Sequence, residues 1–265
     1  MPAEPPLSHI LLPSVPHDAY TFWFKHISTD QNLILPTSTD QKPWFARDHS
    51  FDHACVSQFL PILEAIKTST PTADQIIDAV NPSSPTDWLG LVILLDQLPR
   101  NCYRDSAAAV VFTQFDPLAL GVAMQALKAD VPTRPFLRYR LALRPWFYLP
   151  LMHSEDMHIQ DICQEKYQAL AEEVNRVVVL QGTSPSTTTG GNGGGEVTPD
   201  EAECCRYLAE NGTAAQEMCA QHVWFQKLHR DIIVRFGRYP HRNRALGRVS
   251  SSEEVRFLEE ENQLG

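Results

Sequence analysis

The amino-acid sequence predicts an all-α fold, and two observations carry this prediction. Apolar residues recur every three or four positions along most of the chain, which is the spacing of one helix face. No segment combines apolar–polar alternation with β-branched residues, which is the pattern of a strand. Short connecting segments favour antiparallel neighbours, so we expect about ten helices in an α-α superhelix or an irregular bundle.

The length and composition define the expected domain. The chain has 265 residues, 43% of them hydrophobic, which suits one large domain or two small ones. We expect one all-helical domain at residues 17–262, preceded by a flexible, proline-rich tail at residues 1–16. A stretch rich in Gly, Ser and Thr at residues 181–200 predicts a disordered insertion, and it lacks the order of a phosphate-binding loop.

The charge and the cysteines exclude several classes of protein. A formal net charge of -10 disfavours general binding to nucleic acid or to an anionic membrane. The six cysteines form no C-x-x-C pair, and they are few for a disulfide framework in a chain of this length. No signal peptide, transit peptide or membrane span is apparent. We therefore expect a soluble cytoplasmic protein.

The first half of the chain contains six predicted helices, separated by proline and by polar turns. Pro61 predicts a kink, Pro85 suits a first helical turn, Pro99 is expected just past a helix end, and Pro117 opens a new helix. Residues 28–42 are polar and predict turns. The predicted helices are Asp18–Ile27, Pro43–Ile66, Thr72–Val80, Ser84–Leu98, Arg104–Phe115 and Asp116–Ala129.

The second half contains three further predicted helices, His153–Leu180, Ala214–Arg235 and Ser251–Glu261. Ser154 is the expected N-cap of the first, and Gly237 permits the positive φ that ends the second. The second helix has a predicted buried face. Its members are Cys219, Val223, Trp224, Leu228, Ile232 and Phe236.

The stretch "LLDQLPRNCYRD", Leu94–Asp105, is the first that could carry chemistry. Asp96 ends a strongly apolar helix, and a carboxylate buried there needs a partner. Arg100 lies one turn away, and Asn101 and Tyr103 can add hydrogen bonds. The alternative is a helix terminus whose polar residues pair for structural reasons.

The stretch "RPWFYLPLMHSEDMHIQD", Arg144–Asp161, is the second. Glu155 and Asp156 could serve acid–base chemistry together with His153 and His158. The two histidines are five residues apart and so do not share a helix face, which argues against a metal site. The alternative is a capped helix start, with one of the two acids pairing with an arginine elsewhere.

The stretch "HRDIIVRFGRYPHRNRALGR", His229–Arg248, is the third, and it contains six arginines in a chain of negative net charge. Gly237 and Pro240 interrupt it, so the charge lies at a helix end and a turn. Residues after Pro240 start a possible new helix, whose amides and flanking arginines suit an anion. The partner is either an internal acid or a ligand.

These three motifs, with "FWF" at Phe22–Phe24 and "WFARDHSFD" at Trp44–Asp52, resemble the uncharacterised family filed as domain of unknown function 924. The resemblance covers roughly residues 19–258. It implies an all-helical, tetratricopeptide-like superhelix and no settled activity. No clean repeat of about 34 residues is visible in the sequence itself. The glycine-rich stretch is interpreted as an insertion between two helices of the family.

Two hypotheses of function follow from the motifs. In the first, the chain binds or converts a small anionic molecule, with Asp96, Glu155 and His241 as catalytic groups, no metal and an unknown cofactor. In the second, it is a helical module for a protein partner, and the charged residues are structural. The expected ligand-binding residues are Arg100, Asn101, Tyr103, His153, Arg238, Arg242, Asn243 and Arg248.

Overall fold

A computed structural model describes residues 10–182 and 197–264, and within these ranges it contains thirteen α-helices and no strand. The all-α prediction is therefore confirmed, whereas the superhelical arrangement stays a prediction. The helices are α1 (Ser14–Phe24), α2 (Asp30–Ile34), α3 (Ser38–Phe45), α4 (His49–Ser69), α5 (Ala73–Val80), α6 (Pro85–Cys102), α7 (Asp116–Lys128), α8 (Pro135–Arg138), α9 (Leu149–Met152), α10 (Met157–Gly182), α11 (Pro199–Glu210), α12 (Gly212–Phe236) and α13 (Ser252–Leu264).

The predicted tail and insertion fall largely outside the described residues. Residues 1–9 and 183–196 belong to neither described range. Inside them, Leu11 is fully buried and α1 already begins at Ser14, so the packed part of the chain starts earlier than residue 17. On either side of residues 183–196, α10 extends to Gly182 and Thr198 caps α11.

Helix α6 is the central element of the first half. It is apolar on all sides, and every residue from Leu89 to Asp96 is buried, as expected for a helix that is surrounded by others. Helices α1, α4 and α7 pack against it. Ser84 and Asp87 form a capping box at its start, and Pro85 occupies the first turn as predicted. Pro99, by contrast, lies inside the helix, because the turn continues to Cys102.

Helices α10 and α12 form the second half of the core, with α11 beside α10. Two fully buried amides join them: Gln226 Nε2 donates to Gln160 Oε1 at 2.9 Å, and the thiol of Cys163 donates to Gln226 Oε1 at 3.1 Å. Buried polar groups are stable when they are hydrogen-bonded in this way. The pair therefore fixes the position of α12 along α10.

The predicted buried face of α12 is wrong in part. Cys219 is buried as expected, but Trp224 is 54% exposed and Leu228 is 39% exposed. The buried residues are smaller or polar, because α12 approaches α10 closely through Gln226. The complete buried set is Ala215, Met218, Cys219, Gln226 and Ile233.

The helical segment around Pro117 explains how Asp116 enters the core. Residues Val111–Phe115 form a π-helical turn, in which the amide of Asp116 bonds to Val111 O. Pro117 has no N–H, so the regular α-helical ladder is interrupted at this point.

The segment Asp105–Lys128 is long and apolar enough to cross a membrane by length and composition, which is weak support for a span. Its interruption and the paired Asp116 favour a packed helix.

Gly90 on α6 tests the packing against α1. A Cβ at this position would lie 1.9 Å from the backbone oxygen of Pro16. We expect Gly90→Ala to lower the free energy of unfolding by at least about 2 kcal/mol, because α1 must move away. Urea denaturation measures this change.

Gly237→Ala is the control for Gly90→Ala. Its backbone has a φ of 67°, but a Cβ there meets no atom of the described residues within 4 Å. Only a conformational cost of about 1 kcal/mol is expected. Equal losses in the two variants would contradict the close approach of α1 to α6.

Candidate functional site

The three charged motifs meet around Asp96. Its carboxylate is 1% exposed and accepts hydrogen bonds from Gln97 Nε2, from Arg100 at 3.2 Å and from His153 Nδ1 at 2.7 Å. His153 belongs to the second motif, and its carbonyl accepts from Arg242 of the third motif at 2.8 Å. The three segments therefore lie close together in the fold.

Asp116 is a further member of this cluster. Arg100 donates to its Oδ1 at 2.6 Å, so one guanidinium bridges Asp96 and Asp116. Arg242 lies 3.3 Å from the other oxygen of Asp116, and its guanidinium is close to the rings of Phe112 and Tyr239. Each buried acid thus has an arginine beside it, as buried charges require.

The electrostatics of the cluster favour an ionised Asp96. Burial opposes its charge, but His153 and Arg100 outweigh burial and hold the pKa of this carboxyl well below its usual range. An ionised carboxylate is a hydrogen-bond acceptor only, so His153 donates its Nδ1–H to Asp96. In the neutral form of this ring, the Nε2 atom on its other edge carries the lone pair.

A metal ion is disfavoured in this cluster. One atom each from Asp96, Asp116 and His153 lie within 4.8 Å of one another, which is a possible ligand set. However, a terminal nitrogen of Arg100 contacts both carboxylates, and Arg242 adds a second positive charge. The cationic partner of these acids is therefore already provided by the protein.

The backbone around His153 is held from three directions. Met152 O accepts from Gln160 Nε2 at 2.8 Å and from the Tyr239 hydroxyl. His153 O accepts from Arg242, and Ser154 O accepts from Gln160 at 2.6 Å. Three successive carbonyls are thus hydrogen-bonded by side chains of Gln160 on α10 and of the segment after α12, so the backbone that carries His153 is held in place.

His153 also lines an aromatic cavity of about 560 Å³. This volume is within the range of small-molecule sites. Among the described residues, the wall contains no Lys, Arg, Asp or Glu. Its aromatic members are Trp44, Phe45, Trp146, Tyr167 and Phe225.

Two further histidines of α12 contribute to the cavity wall. Burial lowers the pKa of His222 to about 4, and its Nδ1 is buried without a hydrogen-bond partner in the described part of the chain. Burial also lowers the pKa of His229, whose Nδ1 lies 2.8 Å from Phe225 O. Both rings are thus kept neutral near pH 7, and the cavity presents imidazoles without fixed charge.

Other residues of the second motif have partners of their own. Glu155 accepts from the Tyr239 amide at 3.0 Å and forms an ion pair with Arg248, so this acid pairs with an arginine as the alternative reading expected. The N-cap prediction at Ser154 is wrong, because Asp156 accepts from the His158 and Ile159 amides and caps α10. A two-residue shift places the carboxylate over the free amides.

The remaining predicted site residues lie in separate contacts. Asn101 bonds to Gln97 O and to Arg104, and Tyr103 donates to Glu64 of α4. In these contacts, neither Asn101 nor Tyr103 bonds directly to Asp96, Asp116, His153 or Arg242. Further along the chain, Arg238 pairs with Glu254 through two bonds, and the buried Asn243 donates to Ser250. Their catalytic or binding roles stay predictions.

The turn after Pro240 differs from the expected anion site. The amides of Arg242 and Asn243 donate to Tyr239 O and Pro240 O, so the backbone already uses them. His241 is exposed, and its ring packs near Phe112 and Tyr239. Arg242 points inward to Asp116, so the turn contributes one ion pair to the buried charged cluster.

Sequence reasoning missed Asp116 and the cavity. The signal for Asp116 was an acid directly before a proline in an otherwise apolar helical segment, which was interpreted only as a helix boundary. The cavity wall combines α3, α9, α10, α12 and the segment before α9. No single stretch of sequence carries such a wall.

The comparisons with known proteins agree with this fold. A family model described as bacterial protein of unknown function, DUF924, matches residues 19–262. The chain belongs to this family. No curated protein matched the chain in sequence.

A solved structure is similar to this DUF924 chain over most of its length. It is a protein of unknown function from Agrobacterium tumefaciens, with 26% sequence identity and a TM-score of 0.59. The match covers 93% of this chain and 98% of the other. The family resemblance inferred from the three motifs is thereby confirmed.

Arg242→Met tests the buried network. The substitution keeps an apolar stem but leaves Asp116 with Arg100 alone, so we expect the free energy of unfolding to fall by about 3 kcal/mol. Lys227→Met is the matched control, because Lys227 pairs with Asp231 on the exposed surface of α12 and should change stability by less than about 0.5 kcal/mol. Equal urea midpoints for the two variants would contradict a stabilising network.

His222 predicts a loss of stability in mild acid. Its pKa is about 4 in the folded chain and 6.5 without the protein environment, so the unfolded state binds more protons between these values. Stability should therefore fall as the pH falls through this window, by up to about 3 kcal/mol, since one pKa unit is about 1.4 kcal/mol.

Urea denaturation between pH 7 and pH 4 measures the His222 contribution. His222→Gln should reduce the pH dependence, whereas the same change at the exposed His158 should leave it as in the wild type. A smaller dependence should remain in His222→Gln, because desolvation of the ring also lowers the pKa of His241 to about 4. A steep dependence that survives in His222→Gln would assign the effect to other groups.

Proposed function

We propose that the chain binds a small molecule in the aromatic cavity, with an apolar body against the rings and one acidic or hydrogen-bonding group at His153. The observation that carries this proposal is that His153 belongs both to the buried charged cluster and to the cavity wall. Its Nδ1 is held by buried Asp96, and His153 is one of the residues that line the cavity. Apolar pockets with a few positioned polar groups are typical small-molecule sites.

The charge balance narrows the kind of ligand. Asp96 and Asp116 carry two negative charges, and Arg100 and Arg242 carry two positive ones. Among the described residues, the cavity wall adds no charged side chain. A doubly charged phosphate would find no spare cation there, so a neutral molecule, or a single carboxylate that shares one proton with the Nε2 atom of His153, is favoured. This is narrower than the general anionic ligand expected from the sequence.

A second candidate function is an interaction module for a protein partner. An exposed apolar strip on α12, formed by Trp224, Phe225 and Leu228, favours it. Apolar surfaces of this kind are common at interfaces. A second copy of the chain is the simplest partner to test: sedimentation velocity of the wild type and of Trp224→Ser would reveal self-association that depends on the strip.

Three naphthalene probes test the proposed ligand class by isothermal titration calorimetry. We expect saturable binding of 2-naphthoate and 2-naphthamide, and binding of 2,6-naphthalenedicarboxylate at least about ten-fold weaker, which corresponds to about 1.4 kcal/mol. The second carboxylate loses its hydration and meets no positive charge. Equal or tighter binding of the dicarboxylate would contradict the charge argument.

Matched variants on α12 locate the probe. Phe225→Ala removes a ring of the cavity wall and should weaken 2-naphthoate about ten-fold. Val234→Ala, at a residue that is exposed and outside the wall, should leave the affinity unchanged. If 2-naphthoate binds Phe225→Ala with the same affinity as the wild type, the probe binds outside the cavity and the proposal is contradicted.

A further inference from the structure

We propose that His153 is a general base, positioned by Asp96, that removes a proton from a small apolar molecule in the aromatic cavity. This inference rests on the proposed function, because it needs the cavity as the binding site. It goes further by assigning a reaction class, proton abstraction, to one atom, Nε2 of His153. Asp96 is the positioning residue, since it touches His153 and does not line the cavity.

The hydrogen bonds of His153 assign the free atom. Nδ1 lies 2.7 Å from Asp96 Oδ1, and the ionised carboxylate accepts a hydrogen bond from Nδ1–H. No hydrogen bond to Nε2 is present among the described residues. A carboxylate that fixes the tautomer and orientation of an imidazole while its second nitrogen takes a proton is a recurring arrangement of general bases.

The position of the ring supports the same role. The carbonyls of Met152, His153 and Ser154 are each bound by a side chain, so the loop that carries the imidazole is held in one conformation. A base that is fixed before the ligand arrives loses little freedom in the reaction. Apolar and aromatic residues of the cavity wall surround His153 on the cavity side, and apolar surroundings make a base more effective toward an apolar molecule.

The composition of the wall selects the reaction class. In the described part of the wall there is no Ser, Thr, Cys or Lys, so no common side-chain nucleophile faces the cavity. Direct covalent catalysis by such a group is therefore not supported. Proton abstraction needs only a base and a binding surface for the substrate, and both are present.

The neighbours of His153 define what the pH dependence reports. The charged and titratable groups around it are Asp96, Arg100, Asp116, His229, Arg242 and the more distant His241. Asp96 and both arginines stay ionised near neutral pH. A rate that rises with pH and then levels would therefore reflect loss of a proton from an imidazole of this group, and variants assign it to His153.

The elimination of 5-nitrobenzisoxazole is a suitable probe reaction, because its planar bicyclic ring fits an aromatic cavity and its only demand is a base. Nε2 would take the proton from C3, and the electrons of the C–H bond would complete the C≡N triple bond. The N–O bond breaks, its electron pair leaves on the phenolate oxygen, and the imidazolium returns its proton to water. The cyanophenolate product is followed by absorbance.

We expect the full-length chain to accelerate this reaction with saturation, at least about 100-fold over free imidazole at equal concentration. His153→Gln should abolish the acceleration and the rising limb of the pH profile. The same substitution at exposed His158 should change neither. Asp96→Asn should lower kcat with little change in KM, because the ring loses the carboxylate that fixes its Nδ1–H tautomer and its orientation.

Binding of the probe is measured separately, by its competition with 2-naphthoate. Competition without acceleration over free imidazole would overturn the general base while leaving the binding site in place. Acceleration that survives in His153→Gln would overturn the assignment to this residue. No competition and no saturable binding of either compound would overturn the proposed function, and the general base with it. Circular dichroism verifies that each variant is folded. If Asp96→Asn does not fold, the rate of His153→Gln alone decides whether His153 is the base.

Discussion

One buried negative charge, that of Asp96, determines how the charged segments are arranged. It lies on α6, which is buried on all sides, so water cannot stabilise it. Its partners are Arg100, one turn further along α6, and His153 from the segment between α9 and α10. Arg100 also forms an ion pair with Asp116, and Asp116 forms a second one with Arg242. The connection of distant parts of the chain thus follows from the cost of burying one carboxylate.

The elements that the sequence predicts well are those with a local cause. Pro85 and the Ser84 capping box start α6, and Gly237, with a φ of 67°, ends α12. The buried face of α12 was predicted less well, because large apolar side chains were assumed to point inward. Trp224 and Leu228 point outward, since Gln226 needs the close contact with Gln160 on α10. A tertiary hydrogen bond determines which face of α12 is buried, and the spacing of apolar residues in the sequence does not reveal such a bond.

The candidate site could be predicted in its residues and not in its shape. Asp96, Arg100, His153 and Arg242 were expected from the sequence because charge beside apolar residues requires partners. Asp116 was missed, since its approach to Arg100 depends on the π-helical turn before Pro117. The cavity depends on side chains from at least four helices, and its volume results from how those helices pack. Such a space has no local signature in the sequence.

The three fixed carbonyls around His153 have a consequence for local unfolding. Loops usually open more readily than helices, and their amides then exchange hydrogen quickly. Here the amides of His153 and Ser154 bond to Leu149 and Leu151, while the carbonyls of the same residues are held by Arg242 and Gln160. Opening this loop means breaking contacts to α10 and to the turn after α12 together. Its hydrogen exchange should therefore be as slow as that of the helices it joins.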